Sequence, residues 1–150
     1  MAIRIIVREG DEILRKKCRP VEKFDQKLWQ LLDDMAETMH AADGVGLAGP
    51  QVGMLRRVVV MDVGDGVIEM INPEIVSADG EQEGPEGCLS CPGEQWMVKR
   101  PMHAVARALD RHGNQIQVEG EGLLARCICH EIDHLDGILF KDKGTPIVED

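Results

Sequence analysis

The segment Cys127–Gly137, which reads CICHEIDHLDG, limits what this chain can be more than any other stretch. Two histidines, His130 and His134, stand four residues apart around Glu131. An α-helix turns about 100° per residue, so both imidazoles project from one face with the carboxylate beside them. His–Glu–x–x–His on a helix is a recurring hydrolase arrangement, in which two neutral imidazoles bind an ion and the carboxylate handles the protons of a water. A third protein ligand has to come from elsewhere. Over Gly122–Asp136 apolar residues recur in two stripes, Leu124, Ile128 and Leu135 on one side, Leu123 and Cys127 running into the two histidines on the other. A helix apolar on two sides is a buried helix.

An earlier helix is signalled by FDQKLWQLLDDMAETMHAADG, where Leu28, Leu31, Leu32, Met35 and Met39 recur at helical spacing, Asp25 is placed to cap the start and Gly44 marks the stop. Met35 and Met39 read as core filler, and His40 as a surface or capping residue, because no metal partner lies at a useful spacing. Strand-like runs follow, RRVVVMDV, IEMINPEIV, HAVARALDRHG and QIQVEG, separated by turn residues. Strands without alternating helices predict an α+β fold: antiparallel sheets packed around the buried HExxH helix, with a second, N-terminal helix. The length of 150 residues suits one domain, 1–150. The polar tail KDKGTPIVED is expected to fray.

The 17 basic and 27 acidic side chains leave a net charge of −10, which repels phosphate backbones and anionic membranes. Direct nucleic-acid binding and membrane association are therefore not expected. The opening MAIRIIVREG lacks the apolar core of a signal peptide, and five cysteines, an odd number, suit a reducing compartment, so the expected location is the cytoplasm.

Three stretches in order, GVGLAGPQ (Gly44–Gln51), EGCLS (Glu86–Ser90) and CHEIDHLDG (Cys129–Gly137), resemble peptide deformylase, and the likeness runs from the opening IRIIVREGDEILRKKCRPV to GILFKDK. That family removes the formyl group from the N-terminal methionine of new polypeptides. The resemblance implies Cys88, His130 and His134 as ligands to one ferrous ion, Fe2+, with Zn2+, Ni2+ or Co2+ able to replace it. It implies Glu131 as general base and then acid, and the Gln51 side-chain amide and Leu89 backbone N–H as donors to the oxyanion. Three protein ligands and one open position is the pattern of a catalytic site, whereas a closed set of four is structural. Gly46 would pair with substrate main chain, with Leu47 and Gly87 also in the substrate site. Val45, Leu123, Cys127 and His130 would line the methionine slot, with Trp96, Arg126 and Cys91 at its rim. Arg100 and Asp133 would support the ligands. The implied partners are N-formylmethionyl nascent peptides and, transiently, the ribosome.

The sequence departs from the family pattern at Gly49, where alanine is usual. The missing methyl beside Pro50 is expected to loosen the placing of Gln51 while leaving function intact. Rival readings remain. Cys88-x-x-Cys91 with Cys127 and Cys129 permits a closed zinc knot, but on a helix Cys129 points about 100° away from His130. A redox C-x-x-C lacks a surrounding βαβ pattern, and Cys18, Cys91 and Cys129 default to ordinary packed thiols. A metallopeptidase would take its third ligand downstream, where LDGILFKDKGTPIVED holds no histidine. A binding protein that has lost turnover would be betrayed by a changed Glu131, Gln51 or Cys88, and all three are present.

Overall fold

In the computed structural model, which describes residues 2–147, Asp25 opens helix α1 (Gln26–Ala41) by accepting the Leu28 N–H at 3.1 Å. That contact satisfies one of the amides that a helix start leaves without a partner. Leu28, Leu31, Leu32, Met35 and Met39 are buried, as their spacing predicts. The chain leaves the helix through Asp43, whose φ of 56° is left-handed, and Gly44, whose N–H returns to the Met39 carbonyl at 2.9 Å. His40 stays exposed and pairs with Asp62 at 2.8 Å.

The chain then forms β1 (Gly46–Ala48), β2 (Val58–Met61) and β3 (Ile68–Asp79), the hairpin β4 (Gln82–Cys88) and β5 (Cys91–Arg100), the hairpin β6 (His103–Leu109) and β7 (Gln115–Glu121), helix α2 (Leu123–Leu135) and β8 (Gly144–Pro146). All neighbours pair antiparallel. One sheet has the order β1-β2-β3-β6-β7 and the other β4-β5-β8. Side chains alternate across a strand, and β2 shows the use of that rule. Val58 and Val60 join the cluster against α1, whereas Val59 and Met61 join the cluster with Cys127, Ile128, Ile132 and Leu135 of α2. A strand covered on both faces reads as a continuous apolar run, which is why VVVM carries no polar residue. The smaller sheet closes over α2 beside the histidines, with Cys91, Val98 and Phe140 buried between.

The tail does not fray at residues 144–147: Gly144, Thr145 and Pro146 pair with Val98, Met97 and Trp96, while 148–150 lie outside the described residues. A Cβ at Gly144 would stand 2.6 Å from the Met97 carbonyl oxygen, so only glycine allows this strand to dock so closely. The apolar stripes predict a buried Leu123, but it is 52% exposed because it sits in the first turn of α2, where it lines the cleft. The hairpin β4–β5 was absent from the strand-like runs, since QEGPEGC contains two glycines and a proline and lacks the β-branched residues that signal a strand.

Gly49 also differs from expectation. A Cβ there would lie 2.6 Å from the Arg56 carbonyl oxygen and 2.7 Å from that of Met54, so the backbone of this loop already fills the place of the methyl. The Met54 N–H donates to the Gly49 carbonyl at 3.0 Å and closes the segment tightly. Gly49→Ala is therefore expected to lower stability by about 1–3 kcal/mol through overpacking. Urea unfolding measures this, and an unchanged midpoint would show that the loop can yield.

Candidate metal centre and catalytic cleft

Cys88 closes β4 immediately before a tight turn, and α2 carries His130 and His134 four residues apart. The docking of the smaller sheet onto α2 brings one ligand atom from each to within 4.8 Å of the others. Cys88 Sγ is 3.4 Å from His134 Nε2. Of the other thiols, Cys127 donates to the Val45 carbonyl at 3.4 Å, and Cys91 lies 3.0 Å from Glu9 Oε2, its single S–H facing that carboxylate and the Cys88 sulfur. The cluster is a set of three, against the closed zinc knot.

Glu86 holds the pieces together. Its carboxylate accepts from Arg100 Nη2 at 2.8 Å, Arg100 Nε at 2.9 Å and Arg126 Nη1 at 2.7 Å, and faces His130 Nδ1 at 2.6 Å. A hydrogen bond at Nδ1 fixes the ring and leaves Nε2 for the ligand cluster. Burial works against ionising this carboxyl, but Arg100 and then His130 outweigh it and hold its pKa well below the ordinary range. Asp133 meets the same Arg100 at 2.8 Å, so the two residues named as support do converge, with Glu86 as the link between them and His130. Glu86 stands two residues before Cys88, across an irregularity in the β4–β5 register, so no simple strand alternation marks it in the sequence as a partner of the site.

The centre is rich in negative charge. Cys88 is held far below the ordinary thiol range, first by the adjoining Cys91 thiol and then by both imidazoles, against burial. For His130, burial opposes protonation, but Glu131, Cys88 and Glu86 together raise its pKa to about 10. Burial pushes Glu131 up, and its Oε1 is buried with no hydrogen-bond partner, as is His134 Nδ1. A thiolate, two imidazoles and surrounding carboxylates are the donors and the charge that a divalent transition ion would neutralise, so these residues fit such an ion.

The centre opens into a cleft of about 610 Å³ lined by Val45, Gly46, Gln51, Gly87, Leu89, Leu123, Arg126, Cys127 and Glu131 among others. A Cβ at Gly46 would come within 2.4 Å of Glu131 Oε2 and 2.8 Å of Cys127 Sγ, so glycine is what lets β1 pass directly beside the carboxylate. Gln51 is buried and locked: its Oε1 accepts the Ala48 N–H at 3.0 Å, and its Nε2 reaches Ser90 Oγ at 3.1 Å and Cys88 Sγ at 3.5 Å. Ser90 is a further unpredicted member of the site. Two named residues fall outside the cleft. Leu47 directs its side chain into the core against α1, and Trp96 packs edge-on against Phe140, 6.3 Å between centroids, behind the hairpin. Arg126 lines the cleft, but its guanidinium is taken up by Glu86 and by the Val98 carbonyl at 3.1 Å, which makes it a tie between α2 and the hairpin.

Comparison with known proteins bears on this geometry. The family model described as polypeptide deformylase matches residues 3–149. The chain belongs to the polypeptide deformylase family. It is 60% identical to a peptide deformylase of Acetivibrio thermocellus over all of this chain and 88% of that protein, and 59% identical to one of Caldicellulosiruptor bescii over all of this chain and 90% of that one. The crystal structure of a Thermotoga maritima peptide deformylase superposes with a TM-score of 0.94 at 41% identity, covering 97% of this chain and all of that one. One from Legionella pneumophila gives 0.92 at 50% identity, covering 95% and 86%. The deformylase fold is thus the α+β arrangement that the sequence predicts, and the chain is a metal-dependent hydrolase, not a metallopeptidase or a spent binding protein.

For this deformylase, Glu86→Gln leaves two buried arginines short of a counter-charge and is expected to cost about 3–5 kcal/mol of stability. Because the folded pKa of Glu86 is depressed, its contribution is complete above the unfolded carboxylate value of about 4.3 and is lost as pH falls through the folded value. The acid side of the stability profile should therefore flatten in the variant. Unfolding measured across pH tests this, and an unaltered profile would remove Glu86 from the centre of the network.

Proposed function

We propose that this chain removes the formyl group from the methionine that begins nascent polypeptides, acting in the cytoplasm as one catalytic domain with one ferrous ion held by Cys88, His130 and His134. The observation that carries this is the buried, unpartnered Glu131 carboxylate oxygen beside three converging ligand atoms at the head of a cleft. Thiolate ligation favours a soft, redox-capable ion, with zinc, nickel or cobalt as substitutes. When bound, such an ion supplies a Lewis acid and makes a water acidic enough to attack near neutral pH. The ribosome is a transient partner on the ground of the substrate class, and the net charge of −10 argues against direct contact with nucleic acid. No helix among the described residues is long and apolar enough to cross a membrane.

The peptide enters between two sheet edges. β1 and β4 are each the end strand of their sheet, and Val45 and Gly46 on one side and Glu86, Gly87 and Cys88 on the other line the cleft. An extended chain laid there can pair its main chain with Gly46, the mode of strand addition. Its first side chain meets Val45, Leu123 and Cys127, whose apolar surfaces suit the unbranched methionine. Glu131 takes the proton of the attacking water and returns it to the amine that departs. Gln51 Nε2 and the Leu89 N–H donate to the oxyanion of the tetrahedral intermediate, and loss of one such donor costs about 2.7–4 kcal/mol of barrier. Ala48 and Ser90 hold the Gln51 amide in place before substrate arrives, and the Nε2–H directed at Cys88 Sγ, a long contact of 3.5 Å, is the one that would turn to the oxyanion.

Glu131→Gln is expected to retain the metal and lose most turnover of a formyl-methionyl peptide, because the amide cannot accept the proton. Metal content and rate are measured on the same sample, and full activity would exclude Glu131 as the base. A formyl-glycyl peptide should react roughly 10–200-fold more slowly than the formyl-methionyl one per methylene lost from the slot. Equal kcat/KM values would contradict the assignment of Val45, Leu123 and Cys127.

A further inference from the structure

A second hollow lies beside the cleft and shares its wall. Leu89 and Pro92 line both, and the remainder of the hollow is made by Ile3, Arg4, Ile5, Ile6 and Arg8 of the N-terminal segment with Thr38, Ala41 and Ala42 at the end of α1. Ile3 and Ile5 are 62% and 90% exposed, an unusual presentation of two large apolar side chains within three residues. The segment that carries them is fastened at several points. Ala2 N–H donates to Asp34 at 2.8 Å, Arg4 N–H to Thr38 Oγ1 at 2.9 Å, Val7 N–H to the Gln51 carbonyl at 2.7 Å and Glu9 N–H to the Ser90 carbonyl at 2.9 Å. Ile3 and Ile5 therefore stand on a backbone fixed to α1 and to the catalytic loops.

The direction of the substrate decides what reaches them. Gly46 abuts Glu131 and marks the reacting end of β1, while Val45, Gly44 and Asp43 lead away from it. Leu89 lies directly over Gly44, its Cδ1 2.6 Å from where a Cβ would stand. An extended peptide advances about 3.3 Å per residue, so a chain whose first residue lies at Gly46 has passed Gly44 after roughly three residues. Its next residues cross Leu89 and Pro92.

Resting on the deformylase function proposed above, we propose that the hollow formed by Ile3, Ile5, Ile6, Ala41, Leu89 and Pro92 is an extended subsite for the fourth to sixth residues of the formylated nascent chain, selective for apolar side chains. Continuity with the cleft argues for the substrate as occupant. The selectivity follows from the wall: isoleucine, alanine, leucine and proline surfaces make most of it, and of its polar members Arg4 is paired with Asp34 at 3.0 Å, the Thr38 hydroxyl is taken up by the Arg4 N–H and the Asp34 carbonyl, and Arg8 is exposed to solvent.

The test compares kcat/KM for the metal-loaded enzyme on three substrates: formyl-Met-Ala-Ser, its extension by three leucines and its extension by three serines. Each is repeated with the double variant Ile3→Ser, Ile5→Ser, whose exposed positions leave the fold intact. The leucine extension should gain at least about fivefold over the tripeptide, through KM, and the serine extension should gain little. The double variant should lose the leucine gain and process the tripeptide as before. If the tripeptide itself is not deformylated, the proposed function falls and takes the subsite with it. If the tripeptide reacts but leucines add nothing, or the gain survives in the double variant, only the subsite is overturned. Concentration-dependent dimerisation that the double variant abolishes would likewise overturn it, by making the hollow a contact between copies of this chain.

Discussion

The carboxylate of Glu86 joins the parts on which catalysis depends. It lies on β4, it binds arginines from β5 and α2, and it fixes the ring of His130. Without that meeting of charges the smaller sheet would have little reason to dock at one position on α2, because the apolar cluster between them is confined to a few residues around Cys91, Val98 and Phe140. A buried ion pair contributes little net stability compared with apolar packing, but it is demanding about geometry. Here geometry is what is needed. Cys88 is two residues from Glu86, so the network that orients His130 also sets the height of the thiolate above the helix.

The larger sheet supplies the other half of the site by different means. β2 is covered on both faces and forms a rigid centre, and β1 is held against it as an edge strand. Rigidity in β1 matters because Gly46 runs within contact distance of Glu131, where any side chain would collide. The edges of β1 and β4 then face one cleft. Two unpaired edges are a hazard in most proteins. In the proposed deformylation they would serve as main-chain partners for a substrate of variable sequence.

Much of this was legible in the sequence because it follows strict periodicities. The helical spacing of Leu28 through Met39, the Asp25 cap and the His130–Glu131–His134 face are local signals, and the structure shows each of them. The hairpin β4–β5 carried no such signal, since its pairing is decided by contacts with α2 and by the ion network, not by β-branched residues. The tail is illegible for a similar reason: Gly144 reads as an ordinary mark of a turn, whereas in the fold the Met97 carbonyl stands where a side chain would be. Trp96, expected at the rim of the methionine slot, packs instead against Phe140, a long-range contact that no local pattern signals. At Gly49 the sequence suggested a void, whereas the structure fills it with the backbone of a loop five residues away.

The central claim is that one metal centre is assembled from a hairpin thiolate and two helix imidazoles, with Cys91 close by but outside it. Metal stoichiometry of Cys88→Ser and Cys91→Ser proteins, purified without oxygen, tests this most directly. A serine hydroxyl is a harder and far less acidic donor than a thiol, so Cys88→Ser should lose most of its metal, while Cys91→Ser should retain about one ion per chain, as the wild type does. Full occupancy in Cys88→Ser with loss in Cys91→Ser would contradict the account.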